Sequence, residues 1–409
     1  MVARFLTTCS SEMQSVAVGW QVYSITHRPL DLGLVGLAQF LPGVCLFLVA
    51  GHVADRIPRH KILQTCYLGF SVCSLLLLTF ALSGIASAYP IYFALLLNGT
   101  VRAFNAPASQ ALVPLLVPVE DFPNAIAWSS SIFQTATIAG PMIGGLVYGL
   151  TGRSQFVYAF AAIAYCTAFL SFRGVRLSSQ TTARPAASGG MVLDGLRYIW
   201  HSKLILGSMS LDLFAVLLGG AVALLPVYAR EILHIGAMGL GILRSAPGLG
   251  AVTMAILVAH RPLRRRAGIT MLAAVFGFGA ATVIFGISRS VFLSVGMLAL
   301  VGATDMISVI VRQTLVQLAT PNEMRGRVSA VNMVFIGASN EVGQFESGIT
   351  AQWFGTVPAV VLGGLGTMAV VVLCTWLFPA LRRIDRLTPE ALLIAAPEVS
   401  VTAEDVVID

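Results

Sequence analysis

The sequence predicts an all-α membrane protein, with twelve transmembrane helices in two six-helix, pseudo-symmetric bundles. Three observations predict it. Of 409 residues, 57% are hydrophobic and 11% charged, and the mean hydropathy is +0.85; a domain whose surface faces water carries about 25% charged residues. The apolar residues fall in runs of about 20, the length that crosses hydrocarbon as a helix. The pattern of the first half of the chain also recurs in the second. In hydrocarbon each segment must satisfy its own backbone polar groups, so the runs are read as helices, not as an open sheet.

The runs place helices at 4–26, 31–53, 61–83, 88–109, 124–149, 154–174, 203–229, 235–259, 267–288, 291–316, 327–354 and 357–380. His27-Arg28-Pro29, Ser83-Gly84 and Ser288-Arg289 mark hairpins between them. The first run contains Glu12 and Gln14 and is read as a retained span rather than a cleaved signal peptide. Few residues precede it, which suggests a start that clips a short cytoplasmic leader.

Orientation follows from Lys and Arg in alternate loops. One set holds Arg56, Arg59, Lys61, Arg173, Arg176, Arg184, Arg197, Lys203, Arg261, Arg264, Arg265, Arg266, Arg325, Arg327, Arg382, Arg383 and Arg386. The other holds Arg28, Arg153, Arg230 and Arg289. The asymmetry and the even helix number put both termini and the long central loop in the cytoplasm of a plasma (inner) membrane. The net charge of +7 is spread over these clusters, so nucleic acid is not an expected partner. The six cysteines are scattered, which points to neither a disulfide framework nor a metal site.

Four regions result: an N-terminal bundle, 1–175; a cytoplasmic central loop, 176–202; a C-terminal bundle, 203–381; and a tail, 382–409, read as disordered. Ser178 to Gly190 reads as a flexible linker. After it, Leu193, Leu196, Ile199 and Trp200 are spaced for an amphipathic helix lying on the inner leaflet.

A shift of 203 residues pairs Gly33, Gly36 and Leu37 with Gly236, Gly239 and Leu240. It also pairs Gly99 with Gly302, Gln110 with Gln313, Pro118 with Pro321, Glu120 with Glu323, Gly140 with Gly343, and Gly145 with Gly348. A constant offset across separate segments indicates duplication of two like-oriented halves around an axis along the membrane normal.

The strongest local pattern is Gly51-His-Val-Ala-Asp55-Arg56-Ile-Pro-Arg59-His-Lys61. Gly51 and Asp55 share a helix face where the chain leaves the bilayer. A glycine there admits a close neighbour, and the carboxylate can meet that neighbour's positive helix end. Arg56, Arg59 and Lys61 supply partners; a plain basic loop is the simpler alternative. In the fifth span, Gly140-Pro141-Met142-Ile143-Gly144-Gly145 combines a helix bend with small residues, which also describes an ordinary packing seam.

On these patterns the chain resembles the major facilitator superfamily over nearly its whole length. G-x-x-x-D-R-x-x-R matches that family's loop-two signature, although Pro58 stands where glycine is common. The resemblance gives Asp55 and Arg59 the role of latching the cytoplasmic side shut, and makes the Gly140 run similar to the antiporter signature. Met13-Gln14-Ser15-Val16-Ala17-Val18-Gly19-Trp20-Gln21-Val22-Tyr23, Arg102-Ala-Phe-Asn-Ala-Pro107-Ala and Arg325-Gly-Arg-Val-Ser-Ala-Val-Asn332 narrow it further. With Ser339-Asn340-Glu341 and Glu346-Ser-Gly348, they resemble the drug:proton antiporter branch that includes enterobactin and macrolide exporters.

Ionisable residues within spans are costly and are usually functional or paired. Here they are Glu12, Arg102, Asp212, Arg244, Asp305, Arg312, Glu341 and Glu346. Asp305 and Arg312, seven apart, share one side of a helix about 10 Å from each other, so each can serve another helix. A dry cavity favours a protonated carboxylate and a nearby arginine the ionised one, so alternation between them can couple protons to conformation. Asp305 and Glu341 are the preferred coupling residues, with Arg102 and Arg312 as tuning partners; static buried ion pairs are the alternative. Gln14, Gln21, Phe104, Asp212 and Phe214 are candidate substrate contacts.

The resulting expectation is a secondary exporter of amphipathic small molecules, a drug, siderophore or metabolite, using proton antiport and alternating access. Its partners would be a small-molecule substrate and the bilayer, and the working unit a monomer. Uptake, lipid flipping and a transport-inactive sensor or scaffold stay open. The sequence carries no phosphate-binding loop, hydrolase elbow or metal-ligand motif, so neither an enzyme nor a cofactor is expected and an ion gradient is the energy source.

Overall fold

The computed structural model describes residues 1–110, 121–172, 189–262 and 265–388, and among these the regular structure is helical throughout. Pro118, Glu120, the Ser178 to Ser188 stretch, Arg264 and most of the C-terminal tail lie outside the described residues, as do the side chains of Asp55 and Gln110. Each of the twelve expected spans is a helix. They are α1 (Val2–Thr26), α2 (Pro29–Cys45) with α3 (Phe47–Arg56), α4 (Arg59–Leu82), α5 (Tyr89–Gln110), α6 (Phe122–Thr151) and α7 (Gln155–Phe172). After the amphipathic α8 (Gly189–His201) come α9 (Lys203–Leu218) with its broken continuation to Ile232, α10 (Gly236–His260), α11 (Ala267–Ile287), α12 (Val291–Ala319), α13 (Asn322–Phe354) and α14 (Thr356–Leu377). The short α15 (Pro379–Arg383) follows.

Seven of these helices, counting α9 and its continuation as one, are long and apolar enough to cross a membrane by composition alone. The other spans are α1, the α2–α3 pair, α5, α6 and α13. These hold Glu12, the Gly51–Arg56 part of the loop-two signature, Arg102, the Gly140–Gly145 run, and Glu341 with Glu346. Such polar and small residues lower the hydropathy of the segment that carries them.

The second span is split in two. Pro42 inside α2 has no N–H to give, the Leu46 N–H bonds the Pro42 carbonyl at 2.9 Å, and the helix restarts as α3. The continuation of α9 passes Gly219-Gly220 into a tight turn at Ala221–Leu224 and, after Pro226, a wide turn at Tyr228–Ile232. At the α1 terminus His27 takes a left-handed φ of 52°, and its N–H bonds the Tyr23 carbonyl at 2.9 Å.

Contacts divide the chain into two compact units. Unit 1 comprises Met1–Ala187 with Ala223–Ser245. Its centre is α1, whose Met13, Val16, Ala17 and Val22 are fully buried. Cys9, Met13, Ala17, Val18 and Val22 pack on Leu77, Ile91, Leu95, Ala136, Val157 and Tyr158. A second cluster joins Leu63, Tyr67 and Phe70 of α4 to Ala108, Ala161, Tyr165 and Ala168. Lipid is as apolar as these side chains, so dispersion and close backbone approach hold such helices together. A Cβ at Gly144 would lie 2.8 Å from the Met13 Cα, for example, so only glycine lets α6 settle on α1.

Unit 2 comprises Ser188–Val222 with Ala246–Asp409. Its core runs from α8 and α9 through α11, α12, α13 and α14, with Ile199, Leu204, Ile205, Leu211, Met271 and Leu315 fully buried. Gly302 packs on the Pro247 carbonyl and Gly250 on the Ala299 carbonyl, which brings α10 and α12 together in this unit. The α8 helix is pinned at its base. Asp194 pairs with Arg327 at 3.2 Å, and the Tyr198 hydroxyl donates to the Ala319 carbonyl at 3.1 Å. Burial pushes the Tyr198 phenol above its ordinary pKa and keeps it a donor. Ile199, expected on the lipid-facing stripe, is instead buried beside Tyr198, while Leu193, Leu196 and Trp200 remain exposed. The reason is geometric: the helix must give one face to the bundle to which it is tied.

Candidate functional site

Among the described residues each unit carries polar groups within its spans, and the two sets are built differently. In unit 2, the Asp212 carboxylate of α9 accepts from the Arg312 guanidinium of α12 at 3.0 Å. A second Arg312 nitrogen donates to the Asn332 Oδ1 of α13 at 3.2 Å. Asp212 and Arg312 are 7% and 3% exposed, so hydrocarbon and protein screen them little. The Arg312 Nε is buried without a hydrogen-bond partner. Beside the pair lies a small cleft, about large enough for a single water, lined by Asp212, Ala215, Val216, Val275, Phe278, Asp305 and Ser308. Asp305 lines the cleft, while Arg312, seven residues on, reaches across to α9. Asp305, Ser308 and Arg312 recur at helical spacing, which aims all three at one side of α12.

Glu341 and Glu346 of α13 take local partners and lie outside the cleft lining. Gln344 donates to Glu341 at 3.2 Å, and Thr350 donates to Glu346 at 2.8 Å. Phe214 is 46% exposed. Asn332 was quoted above only as part of a motif; its role as a holder of Arg312 comes from the packing of α12 on α13.

In unit 1, polar residues line up along α1. The Arg244 Nη2 donates to the Ser15 Oγ at 2.5 Å. Glu12, one turn before Ser15, is half-buried and feels the charges of Arg244 and, less strongly, Arg102. Gln14 is buried and donates to Ser74 at 2.9 Å, while the Tyr158 hydroxyl donates to Gln21 at 2.7 Å. Both glutamines thus serve helix-to-helix bonds here. Phe104 packs against the Tyr67–Tyr165 cluster. Tyr23 donates to Glu231, and Ser245 donates to the Ile138 carbonyl at 2.8 Å. Tyr23 entered the sequence reading only as the end of a motif and Glu231 not at all, because a tyrosine near a helix end and a loop glutamate carry no signal alone.

The Gly140–Gly145 run has two working faces. Gly140 and Gly144 meet Cys9, Glu12 and Met13 of α1. Gly145 meets Ala237 and Gly241, with a Cβ there only 2.8 Å from the Gly241 Cα, and Gly149 meets Met238. At the loop-two signature a Cβ on Gly51 would meet nothing within 4 Å among the described residues. The contacts of α3 run to α5 and α2. Arg56 and Lys61 are exposed, and Arg59 is half-buried and engaged.

Comparison with known proteins fits this architecture. Residues 1–405 match the family model described as transmembrane secretion effector. The enterobactin exporter EntS of Shigella boydii serotype 4 (strain Sb227) is 28% identical over 399 residues, covering 95% of this chain and 93% of that protein. The enterobactin exporter EntS of Citrobacter koseri (strain ATCC BAA-895 / CDC 4225-83 / SGSC4696) is 28% identical over 398 residues, with the same coverage. Among solved structures, a point mutant of the nucleoside transporter NupG superposes with a TM-score of 0.71 at 13% identity, covering 92% of this chain and 98% of that one. A bacterial homologue of the iron transporter ferroportin gives 0.69 at 15% identity, covering 93% and 97%. At such identities these structures speak for the fold. Helices, polar clusters and family model agree: this chain belongs to the transmembrane secretion effector family of major facilitator transporters, multi-pass membrane carriers of small molecules rather than enzymes.

Proposed function

We propose that the chain exports an amphipathic small molecule, a siderophore or a similar metabolite, across the inner membrane in exchange for protons. The names of its enterobactin-exporting relatives support the cargo and the direction. The observation that carries the proton reading is the charge balance of the unit 2 cluster: Asp212 and Asp305 share one cation, Arg312. A lone surplus carboxylate in a site shielded from water is costly unless a proton or a counter-charge neutralises it. Asp305, in the cleft and outside the ion pair, is the proton carrier; Asp212 and Arg312 form its fixed counterpart. Export proceeds by alternating access in a monomer, with both termini in the cytoplasm and the proton gradient as the energy source.

The test is efflux from a strain lacking its own siderophore and drug exporters. Cells expressing the chain should hold less siderophore than cells without it, and a protonophore should erase the difference. Asp305→Asn should reach the membrane in normal yield and export no faster than the empty strain. Normal gradient-driven export by Asp305→Asn would remove this residue from the mechanism, and export indifferent to the protonophore would remove the proton.

A further inference from the structure

The amphipathic α8 meets its bundle on one face only. Gly195 lies flat on α13, where an added Cβ would come within 2.9 Å of the Arg327 carbonyl oxygen. Tyr198 and Ile199 are buried, Tyr198 donates to the Ala319 carbonyl, and Asp194 pairs with Arg327. The opposite face carries Leu193, Leu196 and Trp200, all exposed, Trp200 by 70%. Steps of three and four residues put them in one stripe along the helix. Side chains of that size gain from any apolar cover, so the nature of the surroundings decides what the stripe does.

What α8 touches fixes its depth. Ala319 is the last residue of α12 and Arg327 stands in the second turn of α13, so α8 lies against the ends of two spans. Its own chain enters the span α9 after a single residue, Ser202, whose N–H bonds the Tyr198 carbonyl at 3.1 Å. Trp200 thus stands three residues before a span, at the level where tryptophan gathers on a membrane–water boundary. Charge completes the fit. Asp194, the one acid of α8, is engaged with Arg327, while Arg197 is exposed beside the stripe. Lys203 at the start of α9 and Arg325 in the first turn of α13 are exposed as well, with Glu323 as the acid of that turn. Cations flanking an exposed apolar stripe suit anionic headgroups lying over acyl chains.

We infer that α8 docks on anionic phospholipid of the inner leaflet, with Leu193, Leu196 and Trp200 among the acyl chains and Arg197 on the headgroup phosphates. The face turned the other way is held to α12 and α13 by Tyr198 and by the Asp194–Arg327 pair. Lipid on one side and protein on the other hold this end of unit 2 in place.

The experiment uses the purified full chain in phosphatidylcholine nanodiscs that hold a minor share of lipid brominated along its acyl chains. Fluorescence present in wild type and missing in Trp200→Phe is the signal of Trp200. Brominated phosphatidylcholine should quench that signal strongly, and aqueous acrylamide should quench it weakly. Brominated phosphatidylglycerol should act at a smaller lipid share than brominated phosphatidylcholine. Arg197→Gln should cut this preference by about fivefold, the worth of one cation at an anionic surface. Arg289→Gln, which removes an exposed cation of another loop, should leave it unchanged. High salt should erase the preference in wild type and spare quenching by phosphatidylcholine, because screening weakens charge and not apolar burial. These variants alter exposed side chains, so the fold does not depend on them. A Trp200 signal open to acrylamide and untouched by brominated lipid would place the stripe in water and overturn the docking. Equal quenching by the two lipids at low salt, or a preference that survives Arg197→Gln, would overturn the anionic partner.

Discussion

The two polar clusters use the same chemistry in opposite proportion. In unit 2 two aspartates share one arginine, and the arginine is fixed on Asp212 and Asn332. In unit 1 two arginines surround one glutamate, and one of the arginines is exposed. The difference shows how composition within a span sets what a site can exchange. A surplus carboxylate is completed by a proton or a cation. Burial differs as well. The Asp212–Arg312 pair is almost wholly enclosed, so it behaves as one structural unit, while Glu12 is half-buried.

That contrast can be broken most forcefully at the enclosed pair. Arg312→Ala leaves Asp212 buried with no counter-charge and should cost about 3–5 kcal/mol, read as a large fall in folded yield and in thermal stability in detergent. Replacing both partners, Asp212→Leu with Arg312→Met, should recover most of that stability and yet leave no proton-driven export. If the double variant still exports, the pair is only a fastener, and the division of labour between the clusters fails.

A smaller effect is expected at the seam of unit 1. Gly145→Val must displace the Ala237 carbonyl and Gly241, at about 1–3 kcal/mol, and should slow export more than it lowers expression. Gly296→Ala, where nothing lies within 4 Å, is the matched control and should leave both unchanged. Equal losses at the two positions would mean that the α6 contact carries no special weight.

The smallest change is Tyr23→Phe, which removes the hydroxyl that Glu231 accepts. Glu231 is exposed and can take water in its place, so the loss should be about 1 kcal/mol or less. A differential scan of melting temperature would detect it. A shift as large as that of Gly145→Val would show that unit 1 depends on this bond far more than a solvated carboxylate allows.

The helices were legible because their signal is local. Twenty apolar residues between basic or glycine-marked turns need no partner to be recognised, and the helices lie where those runs lie. The break at Leu46 is different: it falls inside the expected span 31–53 and four residues past Pro42, which lies within α2. The charges within spans were legible for the same reason, since each stands out against its own neighbours. Their partners were not. Asp212 and Arg312 are brought together by the packing of α9 on α12, which no spacing along either helix encodes. Asn332 looked like one motif letter among several. The Gly140–Gly145 run shows the boundary between the two kinds of information. That small residues would admit close neighbours was evident from their type; that Gly144 serves α1 and Gly145 serves Gly241 was not.

By itself, then, the amino-acid order determined that this chain is a set of membrane helices with charges embedded in them. Hydrogen bonding and hydropathy act within one segment, so one segment suffices to read them. Which charge meets which, which carboxylate stays outside an ion pair, and which polar atom is buried without a partner were decided by tertiary structure. Those properties belong to distances between segments far apart in the chain, and in hydrocarbon a difference of a few ångströms separates a neutralised pair from a lone ion in search of a ligand.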